Sequence, residues 1–302
     1  VAPRPYDTLT ASRATLRFYH ADCLTLLPTL PAGSVSAIVT SPPYNLGIRY
    51  RTYADSLPSE RYLKWTGEWV EAASRLLAPD GSLFLNVGAR PTDPWTAIDI
   101  ALAARPHLKL QNTLHWVKSV AIDRDAVGSA AGIDRSLALG HYKPINSARF
   151  VNDCHEFIFH FTVSGHVPLD RLALGVPYQD QSNVKRWRRA GSGKRCRGNI
   201  WFLPYETIQS RDEDRPHPAT FPTRLPEFCL RLHGLSRLRT VADPFLGLGS
   251  SAVACAQLGV DFVGIEMDEH YLKEAIERTR AAINGKTAKG KASKRASRTL
   301  RT

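Results

Sequence analysis

Apolar positions along the chain fall into short runs separated by longer periodic stretches. Ala14–Tyr19 alternates like a strand, and Val35–Thr40 (VSAIVT) is a continuous apolar run of the length of a buried strand. Residues 59–77 place Leu63, Val70, Ala73 and Leu77 at near-helical spacing, with Ser59 as the expected cap. Pro79-Asp80-Gly81 ends that helix, and Ser82–Val87 (SLFLNV) reads as the next strand. A short helix over Trp95–Ala104 and strands over Thr113–Val117 and Glu156–Phe161 follow. Near the C-terminus the order is helix (Leu225–Leu232), strand (Thr240–Ala242), Gly-rich turn, helix (Ser250–Leu258), strand (Asp261–Ile265) and helix (Glu269–Ala282). Alternation of helices with buried strands predicts an α/β domain with a largely parallel sheet covered on both faces. The rhythm lapses over 119–150 and again over about 164–198, lengths that mark functional insertions rather than ordinary connections.

With 302 residues and 43% hydrophobic content, the chain can bury a substantial core. No run of about 18 apolar residues offers a membrane span, and the first seventeen residues lack the basic-then-apolar order of a signal peptide. Five cysteines, Cys23, Cys154, Cys196, Cys229 and Cys255, form no CxxC pair, which argues against a disulfide framework or a metal cage and for a reducing, cytoplasmic setting. The formal charge of +12 is concentrated. Residues 185–197 hold seven basic residues and no acid, and residues 285–302 hold seven more, so the remaining body is close to neutral. Clustering of this kind is the footprint of a polyanion. In the first cluster Trp187 and glycines interleave the charges, which suits nucleic acid; the second reads either as a polyanion contact or as a disordered solubilising tail.

Two motifs carry candidate chemistry. Asp243 to Ala252 (DPFLGLGSSA) lies between a strand and a helix, and Glu266 ends the next strand. Glycines let the backbone approach a ligand, and a carboxylate at that remove suits ribose hydroxyls. Only 36 residues follow Glu266, so a complete nucleotide-binding sheet has to draw its remaining strands from the N-terminal half. The second motif, Thr40-Ser41-Pro42-Pro43-Tyr44-Asn45, directly follows a buried strand. Its prolines remove amide donors and leave carbonyl acceptors, Ser41 adds a hydroxyl and Tyr44 a flat face with a polar tip. Such a loop accepts hydrogen bonds from an amino group while stacking the ring that bears it.

In this order the motifs resemble the beta class of site-specific DNA amino-methyltransferases, in which the catalytic motif precedes the S-adenosylmethionine motif. The resemblance spans Asp22 to about Arg280 and includes His155-Glu156-Phe157, the segment His217 to Pro222 and Gly264-Ile265-Glu266. It implies a Rossmann-like S-adenosylmethionine-dependent methyltransferase fold with circularly permuted motif order and an inserted target-recognition region. The implied organisation is a catalytic half over 1–163 with an insertion at about 119–150, a target-recognition region over 164–215, a cofactor-binding half over 216–284 and a basic disordered tail over 285–302. The resemblance makes Ser41, Pro42, Pro43 and Tyr44 catalytic. It places Phe245, Gly247 and Gly249 beneath the cofactor and Asp243 near its amino-acid end. Glu266 falls on the ribose, Asp22 on the adenine amino group, Ser250 and Ser251 on the carboxylate, and His217 and Thr220 over the methionine portion. Lys185, Arg186, Arg188, Arg189, Lys194, Arg195 and Arg197 would meet DNA, mostly at phosphates.

Serine at position 41 accompanies cytosine N4 in most such enzymes, whereas aspartate accompanies adenine N6, so the expected activity is cytosine-N4 methylation of a flipped base in duplex DNA, with adenine N6 as the alternative. Cytosine C5 chemistry is disfavoured because no Pro-Cys pair is present. No metal is required. The family setting is compatible with a homodimer, with a cognate restriction endonuclease and with a bacterial or archaeal, nucleoid-associated location. Two remoter readings, a non-catalytic DNA-binding protein and an NAD(P)-dependent oxidoreductase resting on the loose GxGxxA match, remain open, as does RNA or protein methylation.

Overall fold

The computed structural model describes residues 3–45, 47, 55–128, 132–140, 147–178, 193–204 and 220–285. The chain opens with β1 (Asp7–Ala11), β2 (Ala14–His20), a one-turn α1 (Cys23–Leu26) and β3 (Val35–Thr40). Next come α2 (Ser59–Leu76), β4 (Leu77–Val87), α3 (Thr96–Ala104) and β5 (Lys109–Val117). The first irregular stretch contains β6 (Ser119–Ile122), α4 (Arg124–Val127) and β7 (Leu137–Gly140), followed by β8 (His155–Thr162). Then come β9 (Val176–Pro177), β10 (Lys194–Arg195), β11 (Ile200–Phe202), α5 (Arg224–His233), β12 (Thr240–Asp243), α6 (Ser250–Leu258), β13 (Asp261–Glu266) and α7 (Glu269–Ile283).

One nine-stranded sheet organises these elements in the order β1-β2-β13-β12-β3-β4-β8-β5-β11. From β2 to β4 the strands are parallel. β8 runs antiparallel to both β4 and β5, and β1 is an antiparallel edge on β2. The C-terminal strands β12 and β13 sit between β2 and β3, so the sheet is completed by N-terminal strands as the motif order requires. Alternate residues feed two cores, because successive side chains of a strand point to opposite faces. Leu16, Phe18, Val39, Phe84 and Phe262 pack under Leu230, Cys255 and Leu272 of α5–α7. Ile38, Leu83, Leu85 and Phe161 pack under Trp69 and Val70 of α2 and Ile100 of α3. Each fully buried large apolar side chain contributes about 1.5–3 kcal/mol.

Several elements differ from the sequence reading. β1 and β11 had no expectation: β1 is a short, half-polar edge strand in a hairpin with β2, and β11 is only three residues long with its partner far away in the chain. β11 pairs in parallel with β5 and extends the sheet by one strand. The stretch over 119–150 is not irregular throughout, since β6 and β7 pair as an antiparallel ribbon, and β9 pairs β10 within the second lapse. Ser59 is the first residue of α2 rather than its cap; Pro58 takes the cap position, with no side-chain cap bond. Among the described residues no helix is long and apolar enough to cross a membrane.

A chain of buried polar groups crosses the core below the sheet's functional end. Asn112 Nδ2 bonds His160 Nδ1 at 2.9 Å, His160 Nε2 lies 3.0 Å from Ser82 Oγ, and Ser82 Oγ lies 3.0 Å from His233 Nδ1. Because the amide nitrogen only donates, His160 carries its proton on Nε2, and the Ser82 hydroxyl passes its own hydrogen to His233. His233 Nε2 is then the protonated nitrogen and has no partner among the described residues. Burial drives both imidazoles down, His160 to about 3 and His233 to about 4. These values lie below the unfolded one, so the unfolded chain takes up protons first; the stability tied to the neutral rings is complete above about pH 6.5 and is lost as pH falls towards the folded values. We predict that lowering pH from 7.5 to 5 removes about 2 kcal/mol per histidine. Urea unfolding of His160→Phe, which retains the stacking on Phe84, should show a correspondingly shallower pH dependence than wild type; equal slopes would refute the assignment.

Candidate functional site

Because β8 runs antiparallel and begins where its neighbours end, its start and the end of β4 stand behind the Ser41–Tyr44 loop, while the carboxyl ends of β3, β12 and β13 and the residues after β2 converge on one cavity. Its wall joins the two sequence motifs: Ser41, Pro42, Pro43 and Tyr44 on one side, and Phe245, Gly247, Ser250 and Glu266 on the other, with Asp22 and Thr220 also at the wall. Of the other residues expected at a ligand, Gly249 does not line it, and Asp243 and Ser251 are buried away from it. His217, Lys185, Arg186, Arg188 and Arg189 lie outside the described residues.

On the glycine-rich side, Gly247 and Gly249 both adopt positive φ, 50° and 75°. Gly249 is also sterically required: a Cβ there would lie 2.9 Å from Ala275 Cβ of α7. Gly249 is the cap of α6, so the first amides of that helix point into the turn as a potential anion site. Glu266 accepts from Gly247 N at 2.8 Å and from Asp268 N at 2.9 Å, one bond to each oxygen. Burial raises its pKa, against the pull of those two amides. Remaining lone pairs on a carboxylate so fixed suit a vicinal diol. Asp22 caps α1 through one oxygen, which accepts from Leu24 N at 2.7 Å, and the other is available to an amino donor. Phe245 is wedged against Trp65 and Trp69 of α2 at ring-centroid distances of 5.5 and 5.2 Å. Trp65, Met267 and Tyr271 also line the cavity, and sequence reasoning gave none of them a role. Cys23 lies at the wall too, but burial pushes its thiol up to about 12, so it is inert.

Beneath this turn Asp243 joins the two motifs. Its Oδ1 accepts from Thr40 Oγ1 at 2.7 Å and from Phe245 N at 3.1 Å, and its Oδ2 accepts from Ser251 Oγ at 2.5 Å. Burial raises its pKa to about 6, opposed by those three donors. Asp243 and Ser251 therefore hold the turn from below, while Ser250, its hydroxyl donating to the Phe221 carbonyl, stands at the wall.

The Ser-Pro-Pro-Tyr loop is held at several points. Tyr62 Oη donates to the Pro43 carbonyl at 2.7 Å, so one of the two expected carbonyl acceptors already has a partner. Asn45, at φ 59°, exchanges side-chain bonds with Leu57 at 2.6 and 2.7 Å and anchors the loop to the start of α2. Tyr44 turns its hydroxyl inward. Its Oη is 2.5 Å from Ser41 Oγ and donates to Glu156 Oε2 at 3.1 Å. Asn86 Nδ2 donates to Tyr44 Oη at 2.8 Å and to Glu156 Oε2 at 2.7 Å, and Lys118 Nζ bonds Glu156 Oε1 at 3.0 Å. Asn86 Oδ1 is buried without a partner among the described residues. Such an orphan acceptor costs about 1–3 kcal/mol, and the amide bears it in order to present its NH2 to Tyr44 and Glu156. Gly88 leaves this cluster just enough room, since a Cβ there would lie 3.3 Å from both Tyr44 Cε2 and Glu156 Cγ. Asn86 and Lys118 drew no notice in the sequence, although an asparagine inside the apolar run SLFLNV is the kind of interruption that marks a buried polar site.

Among the expected DNA contacts, Lys194 and Arg195 are exposed on β10. Arg197 also serves the fold: its Nε donates to the Leu174 carbonyl at 3.1 Å and its guanidinium lies over the Phe228 ring.

Known proteins share this architecture. The Type II methyltransferase M.Cfr9I of Citrobacter freundii is 30% identical over 294 residues, covering 90% of this chain and 89% of that one. The structure of the cytosine-N4-specific PvuII DNA methyltransferase superposes with a TM-score of 0.57 at 16% identity, covering 91% of this chain and 94% of that one. That of TTHA0409 from Thermus thermophilus, complexed with S-adenosyl-L-methionine, gives 0.57 at 22% identity, covering 88% and 93%. The fold is thus the Rossmann-like one of S-adenosylmethionine-dependent DNA methyltransferases. Residues 35–277, from the strand that delivers Ser41 through most of α7, match the DNA methylase family of N6 and N4 methyltransferases, and the chain belongs to that family.

Proposed function

We propose that the protein transfers a methyl group from S-adenosylmethionine to the exocyclic N4 of a cytosine flipped out of duplex DNA. The observation that carries this reading is the position of Ser41 Oγ, an acceptor at the wall of the same cavity that Gly247, Leu248 and Glu266 line. The residues fit the cofactor: Glu266 suits the ribose diol, Asp22 the adenine amino group, the amides at the start of α6 with Ser250 the carboxylate, and Phe245 with Trp65 the region of the sulfonium. Thr220, and His217 beyond the described residues, would close over the methionine end. When bound, the cofactor supplies an activated methyl group.

The residues of the chain then have to orient an amine whose lone pair is delocalised into its ring. Ser41 Oγ and the Pro42 carbonyl accept its two N–H groups and favour a more tetrahedral nitrogen. Positioning and preorganised dipoles account for such a reaction without a covalent intermediate. Flipping the base costs a few kcal/mol, which phosphate contacts from Lys194, Arg195 and the basic residues 185–189 would offset. Serine at position 41 supports cytosine N4 over adenine N6, and the Type II relatives support a restriction endonuclease that shares the recognition site.

Nucleoside mass spectrometry of unmethylated DNA incubated with the protein and S-adenosylmethionine is expected to show N4-methylcytosine. N6-methyladenine would overturn the base assignment alone, and neither product, across DNA of varied sequence, would overturn the reading. Ser41→Ala should lower transfer by at least about 100-fold, with S-adenosylmethionine affinity by calorimetry unchanged; a fully active variant would remove Ser41 from the chemistry.

A further inference from the structure

An amine that gains a methyl group has to lose a hydrogen, and the structure shows where that proton can go. We propose that Ser41, Tyr44 and Glu156 form a proton relay, oriented by Asn86 and Lys118, that accepts the proton leaving the target nitrogen. The proposal rests on the methyl-transfer reading above.

Hydrogen-bond capacity fixes the direction of the relay. Glu156 only accepts when ionised, and it receives Lys118 on Oε1 and Asn86 on Oε2. Asn86 has two N–H groups, and its two short bonds go to Tyr44 Oη and Glu156 Oε2, at 2.8 and 2.7 Å. Tyr44 has one hydrogen, and the carboxylate 3.1 Å away can only receive it. The 2.5 Å contact between Ser41 and Tyr44 is therefore made by the Ser41 hydrogen, donated to the phenol oxygen. Ser41 is left presenting lone pairs alone to the cavity. A free serine hydroxyl would donate or accept indifferently, whereas this one is restricted to accepting, which matches an NH2 group.

The same chain of bonds can move a proton without any heavy atom shifting far. As the nitrogen lone pair forms the new C–N bond and the methyl–sulfur bond breaks with its electron pair going to sulfur, which leaves as a neutral thioether, the N–H bond breaks with its electron pair remaining on nitrogen, and the proton passes to Ser41 Oγ. Ser41 gives its original proton to Tyr44 Oη, and Tyr44 gives its own to Glu156 Oε2. Serine and tyrosine end as they began, neutral, and the carboxylate becomes a carboxylic acid. Tyr44, Asn86 and Glu156 are buried, so bulk water does not compete for the proton inside the site. Lys118 holds the far oxygen of Glu156, which keeps Oε2 turned towards Tyr44, and its side chain is one-fifth exposed, giving the proton an exit to solvent after product leaves. Ser41 touches the substrate; the other four act through it and are positioning residues.

The test uses the whole 302-residue chain and a duplex carrying the site that it is found to methylate. Single-turnover transfer by Tyr44→Phe and Glu156→Gln should fall by about 100-fold, the scale of general-base catalysis. Affinity for the same duplex without cofactor, by fluorescence anisotropy, and for S-adenosylmethionine should stay within about twofold of wild type. Wild-type transfer should also slow in deuterium oxide, with a curved proton inventory reporting more than one moving proton, a result that needs no variant to fold. Wild-type rates in both variants, or a wild-type rate indifferent to deuterium oxide, overturn the relay. Loss of duplex and cofactor binding in step with the rate assigns these residues a structural role and overturns it too. Should the wild-type protein methylate no DNA, the methyl-transfer reading has failed and the relay falls with it, an outcome distinct from active wild type with unaffected variants.

Discussion

The carboxylate of Asp243 is the constraint on which the rest of the site depends. Taking an ionised carboxylate out of water costs several kcal/mol unless hydrogen bonds replace the lost solvation. Here three donors do so: Thr40, Ser251 and the Phe245 amide. They come from three different pieces of chain, the end of β3, the start of α6 and the turn between β12 and α6. Thr40 immediately precedes Ser41, so satisfying one buried charge also sets the acceptor loop relative to the glycine-rich turn. Two motifs some two hundred residues apart are brought to one cavity by a requirement of solvation, and the carboxylate accepts both hydroxyls most strongly while it is ionised, above about pH 6.

Around that bracket the architecture divides its tasks. The parallel strands β2, β13, β12, β3 and β4 end together at the side of the sheet where ligands bind in open α/β folds. The antiparallel β8 brings something a parallel strand could not, because its first residues rather than its last lie at that edge. Glu156, near its start, thereby stands behind Asn86 near the end of β4 and beside Lys118 just past the end of β5. Aromatic packing fixes the opposite wall, where Trp65 and Trp69 of α2 hold Phe245. One helix therefore steadies both motifs, through Tyr62 on the Pro43 carbonyl and through these tryptophans on the turn.

Much of this was legible in the sequence because it rests on local pattern. The strands VSAIVT and SLFLNV, the helix over 59–77 and the glycine-rich turn each follow from residues within a few positions of one another. What the sequence left out depends on pairing at a distance. The edge strand β11 exists only because the distant β5 is present to pair with it, and Ile200-Trp201-Phe202 has no periodicity long enough to announce itself. The assignments of Asp243 and Ser251 to the ligand followed the motif; the structure directs both side chains to each other, since a buried acid takes the nearest donors. Asn86 and Lys118 gained their places only when four strand ends met.

Position 41 shows why serine can serve where a carboxylate would also accept. A carboxylate at that point brings its own negative charge and needs no help to be an acceptor. A hydroxyl is ambivalent, and becomes a dedicated acceptor only when its hydrogen is taken by something behind it. Tyr44 takes it, and Tyr44 can do so because Glu156 in turn takes the tyrosine hydrogen. The charge absent from residue 41 is thus supplied two groups away, in a pocket where Lys118 balances it. An acid introduced at position 41 would place a second carboxylate in hydrogen-bond reach of the phenol that already serves Glu156, and like charges so close are not both ionised without a further cation. The residue at 41 and the network behind it are therefore a single unit, and the identity of one constrains the other.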